Sequence, residues 1–308
     1  MLTNLHETLL AVIDDELITT IYTRQHTSRI SKTTIELCND NCDELNFSEY
    51  SFTKNIKAIF IQQYISKSMS DLSCFINLTD LSINMYYRQI IDIITQNRIT
   101  ELIFPDTIRT MTFDCNYSVI DFKFPPHLKK LYFGTNFRHS IIGVTFPTEL
   151  KILELGYINT LVGVTLPEHI TEIITIIPEV LKTIHEVSSF PPSLTTIFIS
   201  YIDLTFKVII PSNFTFIKIC SVSSMDNLIF PKTLRKLEIQ SCPELLNNIP
   251  NSVEELIIIS EKSNVTNLPI SLKKLIIKKM EYNDILKQFK KIPYGCVVTN
   301  DKNEIILI

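Results

Sequence analysis

The chain has 308 residues, 45% of them hydrophobic and 20% charged, with a formal net charge of −4. That near-neutral balance excludes non-specific nucleic-acid binding as a main role, and no apolar run reaches the roughly 18–20 residues of a membrane span. Seven cysteines, an odd number, follow a start that carries Glu7 and Asp14-Asp15-Glu16 where a secretory leader would be basic and apolar, which places the protein inside the cell, in the cytoplasm, with reduced thiols.

In chain order, Leu5, Leu9, Val12, Ile13, Leu17, Ile18 and Ile21 recur at spacings of three and four and predict a helix over residues 4–22. Residues 1–31 are then a helical N-terminal cap, closing the open end of whatever follows. Three strand-like phrases come next: Ile35-Glu36-Leu37, Ile56–Ile61 and Leu78–Ile83. A short helix is expected over Arg88–Asn97.

From residue 104 the pattern sharpens. Asn227–Ile239 reads N-L-I-F-P-K-T-L-R-K-L-E-I: a short alternation, a proline, two variable residues, then apolar residues at positions 1, 4 and 6 of a phrase. Alternation at positions 4 to 6 is the period of a half-buried strand. Proline fixes φ and lacks an amide hydrogen, so it marks a corner. The phrase returns behind Pro105, Pro125, Pro147, Pro167, Pro191, Pro211, Pro231, Pro250 and Pro269, at spacings of 19 to 24 residues, and so uses nine of the fourteen prolines. A repeat of about 20 residues that cannot bury its own apolar side implies stacking into a leucine-rich-repeat-like solenoid. The expected fold is a β-rich repeat solenoid over 32–282, clear at 104–277 and degenerate at 32–103. About twelve short parallel strands, centred near residues 36, 60, 82, 112, 132, 154, 174, 198, 218, 238, 257 and 276, form one face. The connecting segments, such as Ile141–Phe146, are too short for a full helix and predict an extended or irregular convex side. Residues 283–308, with a short helix at Asn283–Lys291 and a final hairpin, are the C-terminal cap. The acidic first 50 residues and the lysine-rich last 39 read as solvated ends.

The sequence holds no G-x-x-x-x-G-K-S/T, no G-x-G-x-x-G and no H-E-x-x-H. Cys38-Asn-Asp-Asn-Cys42 lacks a second ligand pair for zinc. His127 and His169 share one repeat position, two repeats apart, and read as loop polar residues. With no nucleophile, base and orienter at a recognisable spacing, the expectation is a non-enzymatic protein with no cofactor and no metal.

If positions 4 and 6 point inward, positions 3 and 5 point outward. That puts Tyr132, Ile152, Ile174, Phe198 and Phe216 on consecutive strands as an apolar stripe, with Lys130, Glu154, Glu172 and Lys218 around it. An apolar patch with a polar rim is the pattern of a protein-binding site. The expected function is a monomeric protein–protein interaction module that holds a partner on this face, without nucleic acid or membrane.

The phrase F/L/I-P-x-x-L-x-x-L-x-L at 20 to 22 residues resembles the FNIP-repeat family, a leucine-rich-repeat-like group of social amoebae and of large viruses that infect amoebae. The resemblance covers 104–277 well and 32–103 weakly, and Gly134 and Gly156 follow their strands as the family has them. The literal Phe-Asn-Ile-Pro is absent; Asn247-Asn248-Ile249-Pro250 is nearest. A viral origin would make the host cytoplasm its location. Some members of the family carry an N-terminal F-box, which implies a second reading as the substrate-recognition adaptor of a ubiquitin ligase, although residues 1–30 are short for one and lack its Leu-Pro opening. A third reading is an enzyme whose site is assembled across repeats.

Overall fold

A computed structural model describes residues 19–23, 26–30, 34–38, 54–62, 71–84, 102–177, 179–203, 206–224, 226–241, 249–259, 268–280, 285, 289, 291–302 and 304–307. The chain divides into two compact units, Met1–Tyr157 and Ile158–Ile308.

In the first unit the strands follow sequence order: β1 (Thr19–Thr23), β2 (His26–Ile30), β3 (Thr34–Cys38), β4 (Ala58–Gln62), β5 (Asp80–Asn84), β6 (Thr110–Asp114), β7 (Lys130–Phe133) and β8 (Ile152–Leu155). From β3 to β8 every neighbouring pair is parallel and without a register shift. β1, β2 and β3 pair antiparallel. This corrects the end of the expected N-terminal helix: residues 19–22 are strand, and a hairpin occupies part of the expected helical cap. Thr19, Thr20, Ile21 and Thr23 are β-branched and suit a pleated strand, which overrides the three-and-four spacing. Residues 4–18 of that expectation, and the helix expected at Arg88–Asn97, lie outside the described residues.

The second unit contains β9 (Glu172–Thr175), α1 (Glu179–Thr183), β10 (Thr196–Asp203), β11 (Val208–Ile209), β12 (Phe216–Ser224), β13 (Leu228–Ile229), β14 (Lys236–Ser241), β15 (Glu255–Ile259), β16 (Lys274–Lys278), β17 (Val297–Thr299) and β18 (Ile305–Leu307). Its main sheet runs β9-β10-β12-β14-β15-β16-β17 in parallel and ends on the antiparallel β18. β11 and β13 make a separate two-stranded parallel sheet from the extended pieces ahead of two prolines. The single described helix longer than one turn, α1, falls in the longest clear repeat, the 24 residues from Pro167 to Pro191. Of the helix expected at Asn283–Lys291, only positions 285, 289 and 291 are described, and the Phe289 amide donates to the Ile285 carbonyl at 3.0 Å as a helix would. Each unit is thus a parallel β-solenoid of short strands.

The prolines act as the phrase predicts. Each starts a turn closed by the amide three residues on: Leu128 to Pro125 at 3.2 Å, Leu194 to Pro191 at 2.9 Å, Leu234 to Pro231 at 3.1 Å. A tenth turn, Cys296 to Pro293 at 3.0 Å, leads into β17. The C-terminal cap therefore begins as one more repeat, one residue short, before its hairpin.

Position 4 of the phrase forms the core. In the first unit Leu131 and Leu153, and in the second Ile173, Ile197, Ile217, Leu237, Leu256 and Leu275, have no exposed surface. The first unit adds an aromatic cluster, with Phe133 stacked on Phe137 at 4.2 Å between centroids and Phe113 edge-on to Phe122 and Phe133 at 5.6 and 6.3 Å. Such burial is worth about 25 cal/mol per Å² of apolar surface, and it fixes which side chains are left on the outer face.

Candidate functional site

The outward face of each main sheet carries positions 3 and 5 as two columns, one rung being about 4.8 Å. In the first unit, Thr110, Lys130 and Ile152 align in one column, and Thr112, Tyr132 and Glu154 in the other. Tyr132 and Ile152 therefore sit in different columns. Lys130 is exposed; Tyr132, Ile152 and Glu154 are half-buried. Burial, and secondarily the charge of Asp114, pushes the Glu154 carboxyl above its ordinary value.

Asp114, at the end of β6, is a feature the sequence reading missed. It is 7% exposed, and its Oδ1 accepts the Asn136 amide at 2.7 Å. The carboxylate occupies the space over Gly134, where an added Cβ would lie 2.2 Å from Asp114 Oδ1. The Gly134 signal was visible in sequence; its partner twenty residues earlier was not. Gly156 is needed for another reason: its φ is +54° and an added Cβ would meet the Gly134 carbonyl at 2.5 Å.

In the second unit Glu172, Thr196, Phe216 and Lys236 form one column, and Ile174, Phe198, Lys218 and Glu238 the other. Ile174 and Phe198 are direct cross-strand neighbours, and Phe216 lies on the diagonal from Phe198. All three are half-buried. The two charges expected as a rim bind each other: Lys218 Nζ reaches across β10 to Glu172 Oε1 at 2.8 Å. Phe216 lies between two ammonium groups, Lys236 Nζ at 4.7 Å and Lys218 Nζ at 5.2 Å from its ring centroid, a favourable cation–π arrangement. Lys236 is in turn paired with Glu255 at 3.0 Å. Ile174 and Phe198 thus form an apolar step bordered by a bridged, neutralised strip. Further along, Ile257 and Ile276 are buried even on this outward side, at 5% and 7% exposure.

His127 Nδ1 lies 2.7 Å from Oε1 of Glu149, the residue at the same position one repeat on. That hydrogen bond holds the Glu149 carboxyl below its ordinary value. His169 is exposed. Among the described residues no group of three or more His, Cys, Asp and Glu could hold a metal ion, and no helix is long and apolar enough to cross a membrane. Cys42 lies outside the described residues.

Residues 116–158 match the family model described as FNIP Repeat. No curated protein matches the chain. Among solved structures, the chain is similar to YopM from Yersinia enterocolitica WA-314, at 14% identity and a TM-score of 0.31 over 80% of this chain. The chain spans about 60% of that structure's length. The matched segment holds two corner prolines, Pro125 and Pro147, the strands β7 and β8, and the glycines that follow each strand. The chain therefore carries the FNIP repeat at residues 116–158, a segment whose strands β7 and β8 pair in parallel.

Proposed function

We propose that the protein is a non-enzymatic interaction module that holds another protein on the outward face of its parallel strands. The observation that carries this reading is the cross-strand pair Ile174 and Phe198, with Phe216 on the diagonal, in the second unit. These apolar side chains stay partly accessible on a face whose fold needs only positions 4 and 6 inside. Half-buried aromatic residues bring a large contact area at low entropic cost and are frequent anchors of protein interfaces. Fixed neighbours support the same reading: the Lys218–Glu172 and Lys236–Glu255 bridges neutralise the charges around the step, so a partner need not strip water from unpaired ions. In the first unit Tyr132 and Ile152, with Lys130 and Glu154, offer a corresponding surface.

The test is a Phe198→Ala, Phe216→Ala double substitution in the full chain, compared with the wild type in capture of proteins from a cell lysate. Loss of a stoichiometrically captured protein, with the thermal melt unchanged, is the expected result. Equal capture by a folded variant rejects this face as the binding site.

A further inference from the structure

The proline corners of the second unit change character at its C-terminal end. The residue after each corner proline is the tip of its turn. In this unit the tips read Glu168, Pro192, Ser212, Lys232 and Asn251, then Ile270 and Tyr294. The first unit keeps to polar residues or proline, with Asp106, Pro126 and Thr148. Ile270 is 85% exposed and Tyr294 107%, more than any other large apolar side chain among the described residues. Their turns close alike, Leu272 to Pro269 and Cys296 to Pro293, each at 3.0 Å, and lead into the paired strands β16 and β17. The tips thus stand on neighbouring rungs of a sheet whose spacing is about 4.8 Å. Beside Tyr294, Gly295 has a φ of +78°, and an added Cβ there would meet nothing within 4 Å. This tip stands clear of the fold. A tip buries nothing inside the solenoid, so the polar residues of the earlier repeats would serve here as well.

The same end carries charge opposite to that of the whole chain. Residues 270–308 hold eight lysines against four acidic residues, a net +4 in a chain of net −4. This is a balance of charge and does not depend on which lysines are paired. Lys273 is bound by Glu254 at 2.6 Å, and with Glu254 counted the end is still +3. Charges further away than a Debye length, about 8–10 Å, are largely screened, so a surface approaching this end meets the local positive balance.

We infer that the Ile270–Tyr294 corner docks on the surface of an anionic lipid bilayer. The two tips enter the boundary between headgroups and acyl chains, and the positive end faces the lipid anions. Peripheral binding of this kind grows with the apolar area inserted and with attraction to anionic headgroups. Tyrosine suits that boundary, since its ring is apolar and its hydroxyl stays wet. A protein pocket is the less suitable occupant. Side chains this exposed have no concave surface around them, so a protein would have to supply the whole cavity, whereas fluid lipid closes around a knob. Surface contact needs no spanning helix, and it departs from the expectation, drawn from the lack of a long apolar run, that the protein meets no membrane.

The experiment is flotation of the full chain with phosphatidylcholine vesicles containing about 30% phosphatidylserine, and with pure phosphatidylcholine vesicles. It compares the wild type with the double variant Ile270→Ser, Tyr294→Ser. Both side chains are exposed, and a thermal melt shows that the variant is folded. The chain has no tryptophan, so Tyr294→Trp supplies a single fluorophore at the tip. The wild type should float with the anionic vesicles, roughly tenfold more weakly with the neutral ones, and less as salt is added. The double variant should need roughly tenfold more lipid, and the tryptophan emission should shift to the blue on binding. No flotation of the wild type, equal flotation of the double variant, or flotation of Tyr294→Trp with unshifted emission would overturn the inference. So would capture of a protein from membrane-cleared lysate that the double variant loses, in the absence of flotation; that result would assign the tips to a protein pocket. Phe198 and Phe216 are unchanged in all these variants, so the outcome is independent of the capture test on that face.

Discussion

Gly134 gives a sharp test of the packing argument, because its need for glycine comes from one neighbour and not from its backbone. Its φ is not among the positive values found at Gly143, Gly156, Gly163 and Gly295. The three nearest atoms to an added Cβ all belong to Asp114: Cγ and Oδ1 at 2.2 Å and Cβ at 2.5 Å. Alanine at 134 must therefore displace the Asp114 side chain and shift the β6 backbone. Overpacking of that kind costs roughly 1–3 kcal/mol. Moving the carboxylate also takes the acceptor from the Asn136 amide, and an unsatisfied buried donor costs about 1–3 kcal/mol more. Gly134→Ala should thus lose about 2–6 kcal/mol, measured by urea denaturation. In an Asp114→Gly background the clash is gone, and the same substitution should cost under about 1 kcal/mol or stabilise, as glycine replacement at compatible backbone does. A double-mutant cycle isolates the coupling. A loss below about 0.5 kcal/mol in the wild-type background, or an equal loss in both backgrounds, would refute the reasoning.

Two further predictions follow from the same geometry. Leu237→Ala, at a position with no exposed surface between Ile217 and Leu256, should lose about 2–5 kcal/mol in denaturation, and a loss under about 1 kcal/mol would mean that the column is not packed as described. Burial and Asp114 raise the folded-state pKa of Glu154, so its contribution to stability is complete below the ordinary carboxylate pKa of about 4.3 and is lost as pH rises through the higher folded value. Glu154→Gln should then melt higher than the wild type at pH 7, with the gap closing toward pH 4; a gap independent of pH would contradict this.

The repeat was legible because one constraint recurs in one place. Each corner needs a residue with φ fixed and no amide to satisfy, and proline supplies both, so nine turns could be read from spacing alone. The tenth, at Pro293, was hidden by its shortened phrase, in which Cys296 keeps the spacing of Leu272 from its proline but Val298, the partner of Leu275, comes one residue sooner. The β1–β2 hairpin was hidden for the opposite reason: Leu17, Ile18 and Ile21 fit a helical stripe, and only antiparallel pairing decides for strand. At the candidate site, the outward position of Ile174, Phe198 and Phe216 followed from the period of two. The charges did not follow, since Lys218 chooses a carboxylate 46 residues away across an intervening strand, and no local pattern encodes that reach. The stripe itself proved to be two columns, because positions 3 and 5 are separated by two residues along each strand.

The central claim, that the outward strand face holds a partner protein, is tested most directly by placing a photo-crosslinking phenylalanine analogue at one position at a time in the full chain and irradiating in cell lysate. Position 198 lies on the outward face beside Ile174, whereas position 209 is exposed on the separate β11–β13 sheet. The account predicts a discrete crosslinked protein from position 198 and none from position 209. Crosslinking from position 209 alone, or from neither position, would contradict it.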